Sequence, residues 1–380
     1  MHFTNFDADA FLRDHWQKKP LLIRDAWAAW SNPLEPDELA GLACEDGVES
    51  RLVERVADRW SIEHGAFPEE RFGALRESHW TLLVQAVDQF VPAVAALIEP
   101  FRFVPNWRID DVMVSIAASG GGVGPHFDQY DVFLVQGLGR RRWRIGATCD
   151  ADSALLAHDD LLLLADFEAH EEHVLDPGDI LYVPPGVAHD GIAESDDCMT
   201  YSIGFRAPSR SELVAHFCDH VLGTLEDDDR YADPDLRRQA NPGEIAPAAL
   251  ARLQSMITET LLNGEAFAHW FGAYVTSPKY PDLNWAPDEP IAQGELRRRL
   301  DGGEALHRNA ASRFSFIRKG PDELLLFVDG QSHACAGDAA RLAEAICAHG
   351  SLAIEPSLVA SVDVLELIGS LVADGSLGFG

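Results

Sequence analysis

The sequence predicts an α+β chain in which a double-stranded β-helix, of the cupin or jelly-roll kind, precedes a helical region and a winged-helix-like C-terminal domain. Three observations carry this expectation. From Trp107 onward, short apolar runs alternate with turn signals such as Gly120-Gly121-Gly122, Asp176-Pro177-Gly178-Asp179 and Pro184-Pro185-Gly186. Many short strands punctuated in this way indicate a closed or double-sheet β architecture. After Pro208 the apolar residues recur at helical spacing. A stretch with Pro at 278, 281, 287 and 290 then reads as a linker before the tail. At 380 residues the chain exceeds one ordinary core. The expected boundaries are 1–208 for the barrel domain, 209–277 for the helical region, 278–290 for the linker and 291–380 for the tail domain.

Residues 4–20 open with a helix signal. Thr4 or Asn5 is placed to cap it, Asp7 and Asp9 lie near its positive end, and Phe6, Ala10, Phe11 and Trp16 form an apolar stripe. Lys18-Lys19-Pro20 ends it, and Leu21-Leu22-Ile23 reads as a strand. A short helix is expected over 36–43, and residues 50–56 and 60–63 alternate like a hairpin. Leu83, Val84, Val87, Phe90, Val94 and Leu97 predict a longer helix over 80–97. Barrel strands are expected over 111–116, 126–136, 142–145, 173–175, 180–183 and 200–205. Helices follow over 211–225, 247–262 and 266–275, with an acidic connection that includes Asp227-Asp228-Asp229. Their amphipathic faces are too few for a large core, so burial against a second subunit is expected, giving a homodimer. The tail orders as helix 294–300, hairpin 314–317 and 324–328, and helices 339–348 and 362–371, which is the order of a winged helix.

Composition narrows the partners. The chain is 47% hydrophobic and 24% charged, ordinary for a globular protein, but its net charge is −32. General binding to phosphate backbones needs Lys and Arg surfaces and is not expected. From Ala286 onward 8 Lys and Arg stand against 14 Asp and Glu, so the tail domain is not expected to bind DNA directly. An acidic chain attracts basic partners, and salt weakens that attraction. Cys44, Cys149, Cys198, Cys218, Cys335 and Cys347 show no paired spacing, so reduced thiols are expected. The opening residues lack the apolar core of a signal peptide, and no apolar run reaches the length of a membrane span. A cytoplasmic protein without membrane contact is the expectation.

The chemistry centres on Ser119–Trp143. His126 and Asp128 stand two apart, so on an extended strand they point to one face. His189 follows beyond the Pro-Pro-Gly turn. Two His and one carboxylate form the facial triad of non-haem Fe(II) oxygenases. A lone H-x-D is weak; the Gly-rich turn before it, the basic cluster after it and the second His raise it. His158, His170 and His173 lie in acidic surroundings and are expected to be solvated. His15, His64 and His79 have no carboxylate at ligand spacing. Such a metal needs an oxidisable bidentate co-substrate, and a dicarboxylate needs a cation at its far end. Arg140, Arg141 and Arg142 are the candidates, with Arg141 facing opposite to its neighbours on a strand. Ser115 can add a hydroxyl donor.

These residues carry a resemblance. The runs WRIDDVMVS, GGGVGPHFDQYDVF, GRRRW and PGDILYVPPGVAH, with FLRDHWQKKP and SHWTLLVQAV upstream, resemble the bacterial ribosomal oxygenases. These are Jumonji-C (JmjC) type Fe(II) and 2-oxoglutarate oxygenases that hydroxylate an arginine of large-subunit ribosomal protein number sixteen. The resemblance is dense from about residue 10 to 208 and thinner beyond. It implies a JmjC barrel, a helical dimerisation region and a winged helix. It implies iron on His126, Asp128 and His189, with no catalytic residue beyond that metal site. It places the far carboxylate of 2-oxoglutarate on Arg141, with Ser115 assisting and O2 as second co-substrate. It also implies a substrate pocket in which Asp111 and Tyr130 hold the guanidinium, Met113 packs on its stem and Ser202 lies near. The implied partner is a basic ribosomal protein. Hydroxylation of a histidine, or a non-catalytic binding module in ribosome assembly, are the rival readings.

Overall fold

The computed structural model describes all residues except 1, 2, 5, 28, 58, 159 and 227. It divides into two compact units, one of Met1–Ala207 with Asn309–Ala311 and the other of Pro208–Arg308 with Ser312–Gly380.

Two antiparallel sheets build the first unit. Its strands are β1 (Leu21–Ile23), β2 (Ser50–Val56), β3 (Arg59–His64), β4 (Trp80–Val84), β5 (Ile109–Ala117), β6 (Asp131–Leu138), β7 (Arg141–Thr148), β8 (Glu171–Leu175), β9 (Ile180–Val183), β10 (Val187–Ala193) and β11 (Cys198–Phe205). The large sheet has the order β1-β9-β6-β11-β5-β4-β2-β3, and the small one β10-β7-β8. Alternation along each strand sorts the side chains. Val114, Phe133, Tyr182, Tyr201 and Phe205 belong to a large apolar core shared with Phe11, Leu39, Leu97 and Phe101 of the helical layer on the outer side. The opposite faces of the two sheets meet in a smaller core of Val132, Leu134, Trp143, Ile145, Leu175, Leu181, Val183 and Val187. The chamber between the sheets is therefore apolar on this side, and Asp111, Met113 and Ser115, alternating along β5 with the core residues Val112, Val114 and Ile116, take the same face of the large sheet as Leu134.

Several expectations are corrected. The segment expected as one helix over 80–97 is strand β4, then short helical turns at Val87–Gln89, Pro92–Ala95 and Ala96–Phe101. Trp80-Thr81-Leu82-Leu83-Val84 favours a pleated surface and pairs with both β2 and β5, and that pairing overrides the helical periodicity. The first helix is shorter than expected, Ala8–Asp14, and Asp7 caps it by accepting from the Ala10 N–H; Asn5 lies outside the described residues. Strand β6 begins at Asp131, so His126 and Asp128 precede it, and β10, which carries His189, is an additional strand.

In the second unit, helices Arg210–Leu222, Pro247–Leu261 and Gly264–Thr276 match the expected segments closely. Asp227 lies outside the described residues. Residues 278–290 contain no helix or strand. The tail has helix Gln293–Asp301, a three-stranded sheet of Phe314–Gly320, Glu323–Val328 and Gln331–Ala336, and helices Asp338–Ala348 and Val362–Ala373 around one apolar core. The third strand of that sheet extends the expected hairpin.

Candidate metal centre

His126 reaches its place by pairing with His189 rather than by lying in a long strand. The two backbones exchange hydrogen bonds, His126 N–H to His189 O at 3.0 Å and the reverse at 2.8 Å, and the Gly186 N–H donates to Asp128 O at 2.7 Å. Gly124 adopts a left-handed φ of 87°, a conformation that suits glycine. Its carbonyl lies 2.9 Å from His126 Nδ1, and Val187 O lies at the same distance from His189 Nδ1. Both Nδ1 atoms thus point at a carbonyl, which fixes the tautomer and turns each Nε2 toward Asp128. Asp128 Oδ2 stands 4.0 Å from His126 Nε2 and 3.6 Å from His189 Nε2. Among the described residues this is the one group of three such side chains close enough to share an ion, with ligand atoms within 4.8 Å of one another. Burial, then the neighbouring His126, lowers the His189 pKa to about 4. That keeps its imidazole in the neutral form a metal needs. The donor set, two imidazole nitrogens and one carboxylate on one side of a chamber, fits Fe(II) and leaves positions open.

Tyr130 is half exposed as a residue, yet burial of its ring, followed by the charge of Asp128, raises its pKa well above the usual phenol range. Gly191, between His189 and Ala193 on β10, lies against the Trp143 indole, which a Cβ there would approach to 2.6 Å.

The three arginines separate as alternation requires. Arg140 pairs with Asp176, and Arg142 with Glu172 and Glu194, outside the chamber. Arg141 turns inward and is 5% exposed. Its Nε donates to Cys198 Sγ at 3.5 Å, its guanidinium lies over Trp143, and its buried Nη2 has no hydrogen-bond partner within the protein. A buried cationic nitrogen without a partner is costly, and a carboxylate in the chamber resolves that cost. Arg141 pairs in register with Ala193, four residues along β10 from His189. That is about 13 Å of strand, which an arginine side chain and a five-carbon dicarboxylate can bridge. Ser115 is buried on β5, opposite Thr200 on β11.

Three substrate-pocket candidates, Asp111, Met113 and Ser202, share the inner face of the large sheet, whereas Tyr130 lies in the irregular segment just before β6. Met113 pairs with Ser202, two residues from Ser115, and Asp111 follows on the same side. Asp111 is buried and accepts from Gln85 Nε2 at 2.7 Å. Arg51 brings its Nη2 to 4.0 Å from Met113 Sδ. Thr200, whose Oγ1 donates to Gln136 Oε1 at 3.4 Å, and Gln136 and Arg51 were not singled out from the sequence. Alternation in Cys198-Met199-Thr200-Tyr201-Ser202 puts Thr200 on the Ser202 face, but Arg51 and Gln136 needed cross-strand register. His158, expected to be solvated, is instead half buried with Nε2 3.4 Å from Trp60 O.

A two-sheet barrel holding two histidines and a carboxylate beside a buried arginine defines a JmjC-type metal-dependent oxygenase. The family model for the JmjC domain matches residues 96–213, and that for the ROXA-like winged helix matches residues 258–378. The chain is 44% identical over 299 residues to the ribosomal protein uL16 3-hydroxylase of Escherichia coli, covering 78% of this chain and 79% of that protein. The X-ray structure of E. coli ycfD superposes with a TM-score of 0.91 at 37% identity over 100% of both chains. The structure of YcfD with cobalt and 2-oxoglutarate superposes with a TM-score of 0.87 at 36% identity, covering 100% of this chain and 99% of that one. This chain belongs to the bacterial ribosomal oxygenases.

Proposed function

We propose that this chain is an Fe(II)- and 2-oxoglutarate-dependent dioxygenase that hydroxylates an arginyl side chain of ribosomal protein uL16. The observation that carries this reading is the pairing of three convergent ligand atoms with a buried guanidinium that lacks a protein partner. The substrate comes from the relative's name, uL16 3-hydroxylase.

In this reading His126, Asp128 and His189 hold the iron on one side and leave the chamber side for co-substrates. When bound, Fe(II) with O2 and 2-oxoglutarate supplies the oxidising power that puts one oxygen atom into a C–H bond, as 2-oxoglutarate becomes succinate and carbon dioxide. Arg141 binds the far carboxylate in its planar fork and Ser115 adds a hydroxyl. Asp111 and Tyr130 supply an anionic and aromatic wall for the target guanidinium, Met113 packs on its stem and Ser202 borders it. The chain thereby orients the target and keeps water from the reacting carbon.

The helices of 209–277 are assigned to homodimerisation, the linker to 278–290 and a supporting, non-DNA-binding role to 291–380. Among the described residues no helix is long and apolar enough to cross a membrane. A cytoplasmic site of action follows from a ribosomal substrate.

Mass spectrometry of ribosomal proteins from a deletion strain tests the reading. The uL16 arginine peptide is expected to lose the mass of one oxygen atom. Loss from a histidine peptide instead overturns the arginine assignment, and an unchanged ribosome overturns the substrate.

A further inference from the structure

Residues 149–170 form an insertion between β7 and β8 that the chemistry above does not use. It holds Asp150, Asp152, Asp159, Asp160, Asp166 and Glu168 and neither Lys nor Arg. It is fixed to the barrel at several points. His158 meets Trp60 O, the Leu164 N–H donates to Pro125 O at 2.8 Å, and Leu163 packs where Gly124 has no side chain. Phe167 lies under the Arg144 guanidinium and against Gly146. The insertion is therefore held one residue from His126. Three of its leucines nevertheless face solvent, Leu155 at 43%, Leu156 at 44% and Leu162 at 74% exposure. Leucines held outward on an anchored segment beside a reaction chamber mark a contact surface, and the surrounding carboxylates name its partner's charge. A protein whose own function is to bind ribosomal RNA carries Lys and Arg surfaces.

We infer that this insertion is a docking surface for uL16 outside the chamber, its leucines meeting an apolar patch and its carboxylates the basic flanks around the target. The inference rests on the uL16 reading above. It assigns recognition of the folded substrate to residues 149–170 and recognition of the single target side chain to the chamber.

The test uses the full-length iron-loaded enzyme, intact uL16 and a short peptide centred on the target arginine. Two variants are compared with the parent: Asp152→Asn with Asp160→Asn, Asp166→Asn and Glu168→Gln, and Leu155→Ser with Leu162→Ser. All six positions are exposed, and an unchanged melting temperature verifies folding. Each variant is expected to weaken binding of intact uL16, read by fluorescence anisotropy, by about tenfold, and the charge variant alone should flatten the salt dependence. Turnover of the short peptide and the KM for 2-oxoglutarate should stay at parental values. Parental affinity for intact uL16 in both variants, or equal losses on peptide and protein, overturns the docking surface while leaving the hydroxylase reading in place. Parental enzyme that binds uL16 through the insertion without modifying it overturns the hydroxylase reading and leaves the surface. Parental enzyme that neither binds nor modifies uL16 overturns both.

Discussion

Arg141 is the residue whose environment is hardest to explain without a ligand. Its guanidinium is buried, one nitrogen is spent on a sulfur and another has no protein partner. Arg141→Ala should therefore raise the KM for 2-oxoglutarate by about two orders of magnitude, the scale of losing a charge-assisted contact in a dry site, with little change in the KM for peptide. Steady-state kinetics with each substrate varied reads this; equal effects on both would remove the assignment. Ligand-induced stabilisation gives an independent readout. At 100 times its dissociation constant, 2-oxoglutarate should stabilise the metal-loaded parent by about 2.7 kcal/mol and the variant by much less. Tyr130 poses a second question at this scale. The charge of Asp128 acts on its hydroxyl, so Tyr130→Phe should weaken metal binding by up to about tenfold, as loss of polar support for a ligand does. A change in peptide KM alone, by calorimetry and kinetics together, would leave Tyr130 only as pocket wall. Alternation in Gly-Arg-Arg-Arg-Trp set Arg141 opposite to its two neighbours, and the family resemblance gave it the co-substrate role. The influence of Asp128 on Tyr130 was not legible, because it depends on an irregular segment that no periodicity describes.

At the scale of elements, the errors of sequence reading cluster where pairing decides. Residues 80–84 carry apolar side chains that suit either a helix or a buried strand, and the choice falls to the two neighbouring strands β2 and β5. His126 and Asp128 were expected on a strand; a two-residue bridge to β10 and a glycine with positive φ converge them instead. Strand β10 itself hides in Val-Ala-His-Asp-Gly-Ile-Ala, whose Gly191 looks like a breaker until Trp143 is seen packed against it. Gly191→Ala should cost about 1–3 kcal/mol by overpacking that contact, measured by denaturant unfolding. Metal affinity should fall as well, because the His189 strand must shift. The helical region was legible because its amphipathic pattern is local. None of the residues of helix Pro247–Leu261 is buried, although Leu250, Leu253 and Ile257 align on one face. The homodimer proposed for the helical region would bury that stripe. Leu253→Asp with Ile257→Asp is expected to shift the solution mass from dimer to monomer while the secondary structure remains. A parent that is already monomeric by light scattering would defeat the dimer.

For the whole molecule the deciding quantity is the net charge of −32. It acts on folding and on recognition with opposite signs. Like charges repel one another in the compact state, so screening should raise the melting temperature as salt is added. The same screening should weaken the encounter with a basic protein. Raising ionic strength from about 0.01 M to about 0.1 M shortens the Debye length from about 30 Å to about 10 Å. Over that range the melting temperature should rise while the association rate with intact uL16 falls by about tenfold or more. The two trends, read by calorimetry and stopped-flow fluorescence on the same samples, must run in opposite directions. If association with uL16 were unaffected by salt, the acidity would serve solubility alone and the substrate would be recognised through the chamber. A uniform screening effect cannot by itself say which carboxylates act. Ion pairs with a buried member, such as half-buried Arg108 with buried Asp131, are poorly screened and should contribute little to either trend. The salt-sensitive part therefore belongs to exposed groups, and among these the carboxylates of residues 149–170 are held beside the segment that carries His126.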